Sequence, residues 1–471
     1  MLATLTPPPD LAAALAYPGT AHSHLSGAVE YSAPHLLTPD DVEFVAISFE
    51  GPDRYACAGG LGVRITELTR ALAERGFVTH LYFIGDPDLP SQEQVDGLPL
   101  HYHRWGQWLS REYHSGVYAG EDAKRSDLEA SLPESLVGER VAPATGRGKR
   151  VVILSEEWHT AEVACRISDA LWAAGLRDRT VMLWNANNTL GFEHVNFERL
   201  RFTQAVSTVS RYMKHEMWRW GVNPLVIPNG IPARLLQRSA QVADLTAFAQ
   251  SHLRGRLTLA KVARFDPDKR WLMAVEAAAG LKQRGLPVLF LARGGMEEHG
   301  HAVLQRAHES GLRVADAWCD SAEPLTQMKT LLDAAAHADF VHIRFPLPEL
   351  ILRTLYRVAD AMLQNSGREP FGLVGLEVMA AGGLLFTGAT GEEYARPNDN
   401  AVVLDTEDPR EIETALLGLL DRPREIGRFR RRGQETAPLY TWSRVVDVLL
   451  SRVRYLAGDG PDTQPGPGAA W

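Results

Sequence analysis

Cysteine is nearly absent. Cys57, Cys165 and Cys319 stand alone and far apart, so the chain offers neither a disulfide framework nor a CxxC metal site. A leading basic stretch is missing too. The first Lys or Arg is Arg54, which leaves no positive region for a secretory signal. The longest nearly apolar run, Gly372 to Gly391, is broken by Glu377 and carries too many glycines for a plain membrane span. Positive charge is in deficit: 49 Lys and Arg against 58 Asp and Glu give a formal net charge of −9. That excludes a general nucleic-acid binder, whose affinity would rest on a basic face. No G-x-G-x-x-G fingerprint and no GK[ST] phosphate loop occurs, and no grouping of ligand residues reads as a metal site. These absences predict a soluble cytoplasmic protein with no membrane span, no nucleic-acid partner, no metal and no bound cofactor.

What is present is an ordinary globular composition. Hydrophobic residues make up 45% and charged residues 23% of 471, enough for two large domains or about three smaller ones. Apolar runs of strand length recur at 42–48, 78–84, 151–154, 181–184, 205–208 and 225–227. Helical patterns separate them. In 62–74, Ile65, Leu68 and Leu72 fall on one face, and Gly76 suits a helix end. A second series begins at Leu257, with strands expected at 257–263, 288–292, 340–343, 361–364, 384–387 and 401–404. Its helices are expected near 271–284, 299–310, 349–358, 373–381, 409–420 and 442–456. Strands alternating with helices mean two doubly wound parallel sheets, an α/β protein. Residues 85–150 fit poorly and are expected as an insertion or long loop. Residues 232–256 are expected to link the two halves, and 458–471 to form a disordered tail.

Three stretches carry chemistry. Gly59-Gly60-Leu61-Gly62 lies between a strand and a helix, where glycines let backbone N–H groups approach a phosphate; a tight strand-to-helix turn is the plainer alternative. Arg264 and Lys269 follow the first strand of the second half. A forked cation and a point charge there suit a pyrophosphate, the alternative being two solvated cations. The strongest stretch is Glu369-Pro-Phe-Gly-Leu-Val-Gly-Leu-Glu377. Glu369 falls in a loop before a helix, Glu377 one turn inside it, and Gly372 permits close backbone approach at the helix mouth. One acid can then face sugar hydroxyls and the other a ribose.

Taken together, the Glu369-x7-Glu377 pair, Arg264 with Lys269, the glycine loop and Val226-Ile227-Pro228-Asn229-Gly230 resemble the retaining GT-B glycosyltransferases of glycosyltransferase family 4, relatives of the glycogen and starch synthases. The resemblance runs from about residue 42 to 456. It implies that Glu369 contacts the donor sugar, that Glu377 holds the nucleotide ribose and that Arg264 and Lys269 bind the diphosphate. It gives Phe371, Gly372 and Leu373 backbone N–H contacts to the donor. Glu157-Trp158-His159-Thr160 resembles the family's Asp-Trp-His stretch, which places His159 beside the donor sugar. Two departures stand out. Cys57 sits where some glycogen synthases have a lysine, and Glu156-Glu157 replaces the usual His/Asp character.

The implied architecture is GT-B. Residues 1–231 form an acceptor domain, 257–441 a nucleotide-sugar domain facing it across a cleft, and helix 442–456 crosses back onto the first. The implied reaction moves a hexosyl group from a nucleoside diphosphate sugar to a hydroxyl acceptor. A non-catalytic nucleotide-sugar binder of the same fold stays open, as does an NAD-dependent dehydrogenase, although the latter lacks its glycine fingerprint. The donor base, the sugar, the acceptor, the oligomeric state and the role of the aromatic-rich 101–118 are not readable from sequence.

Overall fold

The computed structural model describes residues 37–388 and 391–458. The Pro- and Ala-rich start and residues 459–471 of the expected tail lie outside them. The first sheet is built from β1 (Val42–Ile47), β2 (Thr79–Ile84), β3 (Gln92–Gln94), β4 (Leu100–Trp105), β5 (Arg150–Glu156), β6 (Thr180–Ala186), β7 (Ala205–Thr208) and β8 (Leu225–Val226). Their spatial order is β3-β4-β2-β1-β5-β6-β7-β8, parallel throughout except for β3 on β4. The second sheet holds β9 (Leu257–Val262), β10 (Val288–Arg293), β11 (Val314–Ala317), β12 (Phe340–Ile343), β13 (Ala361–Gln364), β14 (Leu385–Gly388) and β15 (Val402–Leu404). Its order is β11-β12-β10-β9-β13-β14-β15, all parallel. Helices cover both faces, which is why the central strands read as continuous apolar runs.

In each sheet the chain reverses its winding once. The first reverses between β1 and β5, the second between β9 and β13. A doubly wound sheet opens a crevice at that point, beyond the carboxyl ends of the strands. The glycine loop follows β1 and His159 follows β5. Arg264 and Lys269 follow β9, and Glu369 follows β13. The topology therefore brings every stretch singled out in the sequence to one of two switch points.

The expected insertion at 85–150 is corrected. It supplies β3 and β4 to the sheet edge and a helix, Glu121–Leu136, whose Leu128, Leu132 and Leu136 are fully buried beside β5 and helix Ala161–Ala173. The strand Leu-His-Tyr-His-Arg-Trp hides its apolar character in aromatic and histidine rings. His103 stacks on Tyr82 at 4.2 Å and His101 on His80 at 4.8 Å. The stretch expected as a linker, 232–256, holds helix Ala240–His252, which packs against helix Glu349–Val358 of the second half.

The chain passes between the halves twice, and the two passages run side by side. The amide of Ile231 donates to the Tyr440 carbonyl at 2.8 Å, and that of Trp442 to the Ile231 carbonyl at 3.1 Å. Gly230 lies so close that a Cβ there would stand 2.8 Å from the Trp442 ring. Helix Trp442–Leu456 then lies on helix Gly60–Glu74. Val445, Val446 and Leu449 join Phe44, Leu68 and Leu72 in one buried cluster of the first half.

Candidate active site

The second switch point is the better assembled. Lys269 sits in a short turn after β9, and its Nζ lies 2.5 Å from Oε2 of Glu369, both side chains half-buried. The two loops are stitched together behind this pair. The amide of Gly367 donates to the Asp268 carbonyl at 2.7 Å, and Asn365 Nδ2 to the Arg270 carbonyl at 3.2 Å. Beneath them Lys261, fully buried in β9, donates to the Leu363 carbonyl at 3.0 Å and Asn365 Oδ1 at 2.7 Å. The helix Leu373–Ala381 starts directly after, with Gly372 in the left-handed region at φ 78°. Its first N–H groups have no intrahelical partner, so its mouth favours an anion. Phe371 is buried, its ring packing with Tyr394 and Tyr440. Leu373 is half-buried.

Glu377, one turn in, accepts a hydrogen bond from the Tyr356 hydroxyl at 3.0 Å. Burial pushes its pKa up, the Tyr356 bond acting against that. Tyr356 thus fixes the carboxylate in one orientation as an acceptor. Arg264 is not drawn into this group. Its side chain is 69% exposed and, among the described residues, pairs only with its own loop's Asp266, at 4.0 Å. Two further neighbours carry no local signal in the sequence. A Cβ on Gly372 would meet Glu392 Cγ at 2.9 Å and Tyr394 Oη at 3.0 Å, so both line the helix mouth. Glu392 is buried with one carboxyl oxygen unpartnered among the described residues, and burial drives its pKa well upward.

At the first switch point the glycine loop is already engaged by the chain itself. Oε2 of the buried Glu50 accepts from the amides of Ala58 at 3.0 Å, Gly59 at 2.9 Å and Gly62 at 3.1 Å. A carboxylate at a helix N-terminus is a favourable internal anion. Of the helix's first amides, those of Gly60 and Leu61 are the ones engaged neither by the helix nor by Glu50. The Tyr118 hydroxyl closes the other side of Glu50, at 2.5 Å from Oε1. A cavity of about 610 Å³ opens beside the loop, lined among others by Arg54, Cys57, Asp86, His114 and Tyr118.

His159 lies in the turn after β5, buried at 5% exposure, its ring stacked on Phe49 at 4.4 Å. Burial pulls its pKa down to about 4, so the ring is neutral in the ordinary range. Glu157, two residues earlier, holds φ 67° and ψ 169°, a conformation that glycine alone adopts easily and that costs roughly 1–3 kcal/mol. Three bonds impose it: the Glu157 amide to the Asn185 carbonyl, the Trp184 indole to the Glu157 carbonyl, and the Asn187 amide to Glu157 Oε1. The strain aims the Trp158–His159 turn at the crevice.

Burial raises the Glu157 carboxyl to about 8, with Glu156 beside it adding to the shift. The native state therefore holds a proton that the unfolded chain releases near pH 4.5. The stability this proton gives is present below about pH 4.5 and lost as pH rises through about 8. Glu157→Gln keeps the oxygen that accepts from Asn187 and removes the titration. Urea unfolding of the two proteins from pH 5 to 9 should show the variant gaining on the parent as pH rises. Parallel curves would remove the buried-acid assignment.

Two doubly wound halves, with a carboxylate–lysine pair and an open helix mouth at one switch point and a glycine loop and histidine at the other, make a GT-B protein. The chain belongs to the group 1 glycosyltransferase family. The family model "Glycosyl transferases group 1" matches residues 246–436. A D-inositol 3-phosphate glycosyltransferase of Thermobispora bispora is 32% identical over 411 residues, covering 82% of this chain and 87% of that one. Among solved structures, sucrose-phosphate synthase of Thermosynechococcus elongatus shares the fold at TM-score 0.60 and 18% identity, over 89% of this chain and all of that one. Anabaena HepE in complex with UDP does so at TM-score 0.56 and 14% identity, over 88% of this chain and all of that one. Among the described residues no helix is long and apolar enough to cross a membrane.

Proposed function

We propose that this chain is a retaining enzyme of the family 4 type. It would move a hexosyl group, of glucosyl type, from a nucleoside diphosphate sugar to a hydroxyl of a sugar or cyclitol acceptor in the cytoplasm, without a metal ion or cofactor. The observation that carries this reading is the Lys269–Glu369 pair at 2.5 Å, set at the mouth of helix Leu373–Ala381. A lysine has three N–H donors, so Lys269 can hold Glu369 and still reach a diphosphate oxygen. The open N–H groups at Gly372 and Leu373 and the loop cation Arg264 add positive potential where the leaving group gains charge. Glu369 would take donor-sugar hydroxyls and Glu377, oriented by Tyr356, the ribose. Gly60 rather than Gly59 or Gly62 would present its amide to the donor, since Glu50 already holds the other two. The acceptor oxygen would attack the anomeric carbon on the face from which the diphosphate departs, its proton passing to a leaving phosphate oxygen. The acceptor class rests on the relatives named as D-inositol 3-phosphate glycosyltransferases.

The test is a panel of UDP-, ADP- and GDP-sugars offered with inositol phosphates and simple sugars. Release of nucleoside diphosphate, with the product's anomeric configuration unchanged from the donor's by NMR, is the expected outcome, and EDTA should leave the rate intact. Glu377→Ala should weaken nucleotide binding by roughly 1.5–3 kcal/mol, the worth of a charged hydrogen bond. An inverted product, or a rate abolished by EDTA and restored by Mg²⁺, would overturn the retaining or the metal-free part. Nucleotide binding without turnover on any acceptor would make the chain a binder.

A further inference from the structure

The helix Glu121–Leu136 brings its first turn against the Trp158–His159 turn that follows β5. Glu121 Oε1 lies 2.5 Å from Nε2 of His159. One turn further along the same helix, the Arg125 guanidinium sits 5.8 Å over the Trp158 ring. Glu121 and Arg125 are four apart, so they share a face and clamp the two consecutive rings of the Trp158–His159 turn. Phe49 covers one face of the imidazole and Tyr118 approaches from the side at 5.6 Å. The histidine is thereby fixed in position, and one question remains for its chemistry: which nitrogen carries the proton.

A neutral imidazole has one N–H and one lone pair, and the bond made by one nitrogen decides the state of the other. Nε2 faces a carboxylate. Burial, with Asp122 beside it, pushes the Glu121 carboxyl above its usual value; Arg125 and His194 pull it back, and its place in the first turn of the helix favours the ionised form of an acid. An ionised carboxylate can only accept, so Nε2 must donate. Nδ1 then carries the lone pair, and it is buried with no hydrogen-bond partner among the described residues. A buried lone pair without a donor is a costly arrangement unless a ligand supplies one. A carbohydrate hydroxyl is such a donor.

We infer that Glu121 is the positioning residue of His159: it holds the Nε2–H tautomer, so that Nδ1 stands as an acceptor for a hydroxyl of the bound sugar. This rests on the proposed glycosyl transfer for its ligand, but not for the tautomer itself, which can be read without any substrate. The experiment is ¹⁵N NMR of histidine-labelled protein, with the His159 signals assigned from a His159→Gln sample. The expected spectrum of the parent shows a protonated Nε2 and a bare Nδ1. In Glu121→Leu the two tautomers should mix. Turnover should drop about 10-fold with KM for the nucleotide sugar within about twofold, the loss of about one hydrogen bond that is made to the sugar mainly in the transition state. Glu121→Gln, whose amide oxygen still accepts, should recover most of that loss.

A protonated Nδ1 in the parent would overturn the inference outright. So would a folded Glu121→Leu protein with the parent's tautomer, or with the parent's turnover. Should no nucleotide sugar be turned over by the parent, the functional reading falls, while the ring spectra still decide the role of Glu121.

Discussion

Lys269→Ala should lower turnover by about 10²–10³, the usual cost of removing one preorganised donor from a developing charge. The glycosyl bond to the diphosphate breaks in the transition state, and only then does the leaving oxygen acquire its full charge. A cation placed there stabilises the transition state more than the bound donor, so kcat should fall further than the affinity for free nucleoside diphosphate. The setting strengthens the effect. Lys269 is half-buried, its loop is tied to the Glu369 loop through Asp268–Gly367 and Asn365–Arg270, and its charge is already oriented by Glu369 at 2.5 Å. Arg264, exposed and reaching only Asp266, should show the same direction with a smaller loss. Steady-state kinetics with the preferred donor, together with calorimetric titration of the nucleoside diphosphate, reads both quantities. Unchanged kcat in a folded Lys269→Ala protein would reduce the pair to a surface ion pair, whose removal changes stability by less than ~1 kcal/mol and does nothing to the chemistry.

Arg64→Met should destabilise the protein by about 3–5 kcal/mol, because it strands a buried charge. Arg64 lies on the helix that follows the glycine loop. Its Nε stands 3.2 Å from Glu156 Oε2, with both side chains almost fully buried. Its Nη1 also donates to Asn229 in the Pro-Asn-Gly turn, and the Trp442 ring lies 5.9 Å from its guanidinium. Glu156 accepts in addition from Asn185 and Asn187, each at 2.9 Å. One cation thus joins the glycine-loop helix, the strand leading to His159 and the first passage between the halves. Removing the cation leaves the Glu156 carboxylate with amide donors alone. Arg64→Met combined with Glu156→Gln should restore a large part of the loss, since the stranded charge is gone. Urea unfolding followed by tryptophan fluorescence measures all three proteins. A double variant no better than the single one would mean that Arg64 acts by filling space rather than by pairing.

How far the sequence could be read depended on whether a signal was local. β12 and β13 coincide with their expected spans because Phe-Val-His-Ile and Ala-Met-Leu-Gln are short, mostly apolar runs buried on both faces. β11, Val-Ala-Asp-Ala, is equally short, but its apolar side chains are small and it lies half-exposed at a sheet edge, so nothing in it stands out as a core strand. Helix Glu121–Leu136 carries its periodic face, Leu128, Leu132 and Leu136, only in its second half, and Lys124 and Glu129 are buried with it, so the apolar stripe is weak in the sequence. The site divides in the same way. Glu369 and Glu377 were legible because eight residues of chain fix their spacing. Glu50, Glu121 and Glu392 were not, because what makes each of them matter is a contact with a distant segment. His159 and Glu121 are 38 positions apart, and nothing in either neighbourhood names the other. Glu50 hides further, since an acid that fills a phosphate-binding turn leaves the glycine pattern unchanged.

The returning helix Trp442–Leu456 also sets a timetable for synthesis. The second half closes its sheet with β15, ending at Leu404, whereas the first half lacks part of its apolar cluster until Leu449 and Val453 have been made. At roughly 5–20 residues per second, the more than 200 residues that separate β8 from that helix take about 10–45 s to translate. Throughout that interval Phe44, Leu68 and Leu72 sit under an open face on the nascent chain. The N-terminal half, made first, is thus the last to be finished, and it is the half that a ribosome-bound chaperone would have to shelter.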